Sequence, residues 1–111
     1  MSQTYLFNVR TVINNDGKRE KVCIAWVAGS QSQKHDHGAS MITDDYPGSC
    51  GVTTVLEGSI YEIRDGVRKD YEVGEQLFEF PDTIHIVGSE TGAITLHVYT
   101  PPLTGHLTII P

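Results

Sequence analysis

The chain has 111 residues, with 14 Asp and Glu against 8 Lys and Arg, a formal charge of −6 with neutral His. That length suits one domain, and 39% apolar residues are enough for a modest core. The acidic balance without a basic block argues against nucleic acid as a partner. No apolar run is long enough to span a membrane. Two cysteines are too few for a disulfide scaffold. Met1 to Tyr5 has neither the basic nor the apolar stretch of an export signal. The expectation is a soluble, cytoplasmic, single domain covering residues 1–111.

Apolar residues recur with period two along most of the chain. Tyr5, Phe7 and Val9 open a first strand, which ends at the turn cluster Asn14-Asn15-Asp16-Gly17. Lys21 to Ala28 is rich in Val, Ile and Trp and reads as a second. A long polar connection runs from Lys34 to Ser49, and connections of that length in compact domains are often functional. Gly51 to Leu56 and Ser59 to Arg64 flank Glu57-Gly58. Asp65-Gly66 then gives a hairpin turn into Val67 to Val73. Gln76 to Phe80 stops at Pro81-Asp82. Thr83 to Ser89 and Ala93 to Thr100 flank Thr91-Gly92, and Leu107 to Ile110 closes the chain. No stripe of helical period appears. Short strands with turns every 8–12 residues predict an all-β sandwich or jelly-roll barrel.

Chemistry concentrates in the histidines. His35-Asp36-His37 places two imidazoles two residues apart, on one face if the segment is extended. The pair alone fits a shared cation and two solvated loop histidines equally well. His85 follows Pro81-Asp82, and alternation places it with Thr83 and Val87, away from Ile84 and Ile86. Taken singly, it reads as a hydrogen-bonded core histidine. Thr95, His97 and Tyr99 share one face of their strand, and Ile94, Leu96 and Val98 the other. His106, in the tail, has no assigned role. Glu57, Glu62, Asp65, Asp70, Glu72, Glu75 and Glu79 read as solubilising charges on turns and polar faces.

Together these pieces resemble a cupin. Gly29, five residues and His35-x-His37 begin the first cupin motif, and Gly74, Pro81 and His85 look like the second. The first motif's acidic ligand falls seven residues before its closing glycine. With Gly58 as that glycine, the position is Gly51, so the resemblance implies three histidine ligands and no carboxylate. This variant is similar to the cysteine dioxygenase family of thiol dioxygenases. The likeness is carried by Tyr5-x-x-Asn8, Ile24-Ala25-Trp26, His35-Asp36-His37, Val55-Leu56-Glu57-Gly58, Asp82-x-x-His85 and Leu96-His97-Val98-Tyr99-Thr100-Pro101-Pro102.

The resemblance implies a double-stranded β-helix holding Fe(II) at His35, His37 and His85, with Zn or Ni as occupants of a purified sample. It places His97 beside the ligands to orient a catalytic Tyr99, and it puts Tyr5, Phe7, Trp26 and Gly51 in the substrate pocket. The partners it implies are O2 and a small thiol or related chelating substrate, with a homodimer through edge strands at residues 5–12 or 19–27. One departure bears on the substrate: where the family holds a carboxylate with Arg, this chain has Phe7. Arg10 is three residues further on, an odd offset that turns it to the other face of a regular strand. The family's cross-linking Cys matches Gly51, so no cross-link to Tyr99 is expected. Two other readings stand beside the dioxygenase: a metal-holding cupin of non-redox chemistry, and a non-catalytic binding or sensor cupin.

Overall fold

The computed structural model describes residues 9–39 and 46–103, and the backbone of Thr108 and Ile109. The elements are β1 (Val9–Asn15), β2 (Glu20–Trp26), β3 (Ser30–Gln31), β4 (His35–Asp36), β5 (Cys50–Arg64), β6 (Val67–Glu72), β7 (Gln76–Glu79), β8 (Ile86–Ser89), β9 (Ala93–Thr100) and β10 (Thr108–Ile109). The expected all-strand fold is what forms, as one curled antiparallel sheet in the order β1-β2-β9-β5-β8-β3. β6 and β7 also pair with β5, and β4 pairs with β10. No described helix is long and apolar enough to cross a membrane.

Turn chemistry sets the boundaries. After β1 the Asp16 carboxylate accepts the backbone N–H groups of Lys18 and Arg19, which closes the loop into β2. Gly51–Leu56 and Ser59–Arg64 prove to be one strand, β5, that serves both halves of the barrel. Its first half pairs with β9 and β7, and its second half with β6 and β8.

The transition is a register irregularity between Val55 and Glu57 in the pairing with β9. Before it Gly51, Thr53 and Val55 are buried, and after it Ile60 and Glu62 are. An extra residue flips the phase of a strand, so one chain segment presents odd and then even positions to the same interior. Gly58 makes the crossing possible. Its φ is +73°, and a Cβ there would lie 2.1 Å from the carbonyl oxygen of Gly92.

The interior has an apolar and a polar part. Trp26, Val55, Ile60, Tyr71, Leu77, Val87 and Ala93 pack into one buried cluster, and Val22, Tyr99 and Leu103 into another. Beside them the buried set includes His35, His37, Thr53, Glu62, Glu79, His85, Thr95 and His97. Buried polar side chains must find partners, and these find them largely in one another.

Candidate metal centre

Two separate segments, His35-Asp36-His37 and the stretch before β8, bring His35, His37 and His85 together. His35 opens β4, and its backbone exchanges two hydrogen bonds with that of His85, N–H to O at 3.1 Å each way. The His37 N–H donates to the Pro81 carbonyl at 3.1 Å, and its own carbonyl accepts from Ser49 at 2.9 Å. As expected from alternation, Thr83, His85 and Val87 are buried while Ile84 is exposed. The three imidazoles stand nearly perpendicular to one another, with centroids 4.7–5.0 Å apart and interplanar angles of 66–79°.

A carboxylate joins them, and this corrects the expectation of a ligand set without one. Glu79 in β7 lies opposite Gly51 in β5, the position that matches the first motif's acidic ligand. Its Oε2 is 2.9 Å from His37 Nε2 and 2.8 Å from His85 Nε2. A Cβ on Gly51 would be 3.2 Å from Glu79 Oε1 and 2.8 Å from Tyr99 Cδ1. The bare glycine thus leaves room for a carboxylate reaching in from the neighbouring strand. The assignment of Glu79 and Glu62 as solubilising charges is likewise overturned, since both are buried. Along β7 the side chains of Leu77 and Glu79 point in, while Phe78 and Phe80 stand more than half exposed. Two aromatics outweigh a glutamate in a hydropathy pattern, so that pattern selects the wrong face. The available signal was the empty Gly51 together with a Glu on a strand able to pair with it.

Protons decide what this cluster can hold. The His35 Nδ1 lies 2.7 Å from the Gln33 carbonyl, and the His85 Nδ1 lies 2.6 Å from Glu62 Oε2. Each contact requires an Nδ1–H donor, which leaves the neutral rings with lone pairs on Nε2. Those two Nε2 atoms are 3.1 Å apart, and that of His85 is also 2.8 Å from Glu79 Oε2, so a positive centre among them would satisfy all three. A proton on His85 is one solution. Burial disfavours the imidazolium there, but Glu62 and Glu79 overcome it and raise the His85 pKa above its usual value. Burial would raise Glu79 as well, and hydrogen bonds from His37 and His85 instead hold it well below the carboxylate range. His35 falls to about 4, chiefly through burial.

A divalent ion is the other solution. Four ligand atoms, one each from His35, His37, Glu79 and His85, lie within 4.8 Å of one another. An octahedral ion with bonds of about 2.1 Å places neighbouring ligand atoms about 3 Å apart, which matches the contacts of 2.8, 2.9 and 3.1 Å. Donor set and spacing therefore fit a transition metal, and imidazole with carboxylate suits several of them.

His97 and Tyr99 lie behind Glu79 in a chain of hydrogen bonds. The Trp26 indole N–H donates to Thr95 Oγ1 at 2.8 Å, and Thr95 Oγ1 is 2.6 Å from His97 Nε2. On the other side His97 Nδ1 is 2.8 Å from Thr53 Oγ1, and Thr53 donates to Glu79 Oε1 at 3.3 Å. Burial lowers the His97 pKa to about 4, so the ring is neutral. A proton sits in every link only if Thr95 donates to Nε2 and the Nδ1–H donates to Thr53. The sequence of donors is then Trp26, Thr95, His97, Thr53, ending on Glu79. The Tyr99 hydroxyl, 3.2 Å from the same Nδ1, is a second acceptor, and burial keeps its own proton in place by raising its pKa well above the usual value.

Of the expected pocket residues, Trp26 is buried in this network and Gly51 underlies Tyr99 and Glu79. Tyr5 and Phe7 lie outside the described residues, as does His106. Arg10 lies 3.7 Å from fully buried Glu20, and its charge acts on both His97 and Tyr99. Tyr46, from the long connection, packs over Gly38 next to His37. Both cysteines are free, Cys50 exposed and Cys23 half-buried.

No protein-family model and no curated protein sequence matches the chain. Solved structures do. An RmlC-like cupin from Shewanella frigidimarina aligns at a TM-score of 0.71 and 23% identity, over 86% of this chain and 77% of that one. An uncharacterised protein with a double-stranded β-helix domain from Klebsiella pneumoniae aligns at 0.75 and 15%, over 94% and 84%. The Cupin_2 domain of an XRE family transcriptional regulator from Enterobacter cloacae aligns at 0.69 and 15%, over 86% and 97%. Likeness at these identities speaks for architecture: the chain has the cupin fold, a small double-stranded β-helix.

Proposed function

We propose that this chain is a metal-dependent cupin enzyme that holds Fe(II) at His35, His37, Glu79 and His85 and uses O2 on a small chelating substrate. The observation that carries the reading is the convergence of four donor atoms within 4.8 Å in a buried site. When bound, the ion would supply Lewis acidity and a template for two reactants. His35, His37, Glu79 and His85 would hold it, and a centre of higher coordination number would leave room beside them for those reactants.

The chain's own residues limit the substrate. A glutamate ligand takes one unit from the positive charge of the centre, so its pull on an anionic thiolate is weaker than that of three neutral imidazoles. The same loss applies to any anion, and a chelating enolate, such as that of a β-dicarbonyl, would offset it with a second donor atom where a simple thiol has none. Tyr99 keeps its phenol proton and directs it at substrate, while His97 holds the phenol oxygen through its Nδ1–H. The neutral His97 and the Thr53 hydroxyl also fix the orientation of Glu79.

Oxygen uptake by Fe(II)-loaded protein against a panel of β-dicarbonyls and thiols tests the reading. Saturable uptake that requires both the metal and Glu79 is expected. Metal-loaded protein that consumes no O2 with any member contradicts it and favours the non-redox reading. The alignment with a regulator's Cupin_2 domain, over 97% of that chain, supports the third reading, a ligand-binding module. Protein that takes up no metal would favour that one.

A further inference from the structure

We propose that Glu62 is a positioning residue for His85 and through it sets the affinity of the centre for its cation; this rests on the metal reading above. Glu62 is not among the converging donors. It lies one layer out, on the second half of β5, and the phase change in that strand is what turns it inward. Pairing of Glu62 with Val87 and of Ile63 with Ile86 brings it beside the residue that precedes β8. Its Oε2 is 2.6 Å from His85 Nδ1. The same oxygen accepts from Arg64, from Nη2 at 2.6 Å and from Nε at 3.2 Å. Arg64 Nη2 also reaches the Phe78 carbonyl at 3.3 Å, which ties it to the strand that carries Glu79.

The three histidines are therefore held in three different ways. A backbone carbonyl fixes His35. His37 Nδ1 has no partner among the described residues. At Nδ1, His85 alone of the three is held by a charged side chain, itself clamped by an arginine. An acceptor at Nδ1 holds the ring in the Nδ1–H tautomer and keeps the Nε2 lone pair aimed at the centre. Outer carboxylates of this kind commonly change metal affinity about 10–100-fold when removed.

Zn(II), titrated against a chromophoric chelator into the full chain, is the probe. Glu62→Ala is expected to weaken binding about 10–100-fold. Glu62→Gln, which keeps an acceptor but loses the charge, is expected to lose less. In a His85→Ala background, Glu62→Ala should have no further effect, since no ring remains to be held. Equal losses in both backgrounds would mean that Glu62 only supports the fold, and unchanged affinity in Glu62→Ala would also overturn the inference. If E62A does not fold, E62Q carries the same comparison in both backgrounds. Wild-type protein that does not bind Zn(II) would overturn the metal reading and this inference together; wild-type binding with a flat Glu62 series would overturn this inference alone.

Discussion

Gly51 shows what an absent side chain can do. Its Cβ would sit 2.8 and 2.9 Å from Tyr99 Cδ1 and Cε1, inside van der Waals contact, so the buried ring or the strand itself must shift. Gly51→Ala should therefore cost about 1–3 kcal/mol of stability, read as a lower urea midpoint, and should weaken metal binding by displacing Glu79. A variant with wild-type midpoint and affinity would show that the space is not contested. His97 gives a prediction in pH. Its folded pKa is about 4 against 6.5 for the free side chain, so the unfolded chain binds the proton first. The neutral ring's contribution is fully present above about pH 6.5 and is lost as pH falls toward 4, by roughly 3 kcal/mol over that span. His35 acts in the same direction. His85 acts in the opposite one, because its raised pKa adds stability that is lost as pH rises. In metal-free protein, His97→Gln should flatten the fall in urea stability between pH 6.5 and 4.5; a variant as acid-sensitive as wild type would contradict the assignment.

At the scale of elements, β5 is the component on which both halves of the site depend. Its irregularity at Leu56 lets Gly51 and Thr53 face the centre from one half and Glu62 from the other. Gly58 combines a positive φ with a carbonyl oxygen 2.1 Å from where its Cβ would lie, so Gly58→Ala should destabilise by about 2–4 kcal/mol. Urea unfolding of that variant measures it, and a loss below about 0.5 kcal/mol would show that the crossing does not need a glycine. The strands were legible in the sequence because period-two alternation and Gly or Asp turns are local signals. β9 falls on Ala93–Thr100 as read, and the three histidines on the faces expected. Glu62 and Glu79 were not legible. Their burial depends on a bulge and on cross-strand pairing, and neither leaves a periodic trace. Phe78 in β7 and Phe80 just after it are exposed and draw the hydropathy pattern to the opposite face.

Taken as a whole, the molecule divides its interior between an apolar packing cluster and a polar chamber whose groups are mutually bonded. Glu79 links the two lines of that chamber. Arg64, Glu62 and His85 approach it from one side, and Trp26, Thr95, His97 and Thr53 from the other. The chamber is an expensive thing to bury unless it holds a cation. Anomalous diffraction from crystals loaded anaerobically with Fe(II) tests that claim most directly. A single strong peak about 2.0–2.3 Å from donor atoms of His35, His37, Glu79 and His85 is predicted. Fully loaded crystals with no peak there, or with iron bound only elsewhere, would contradict the account.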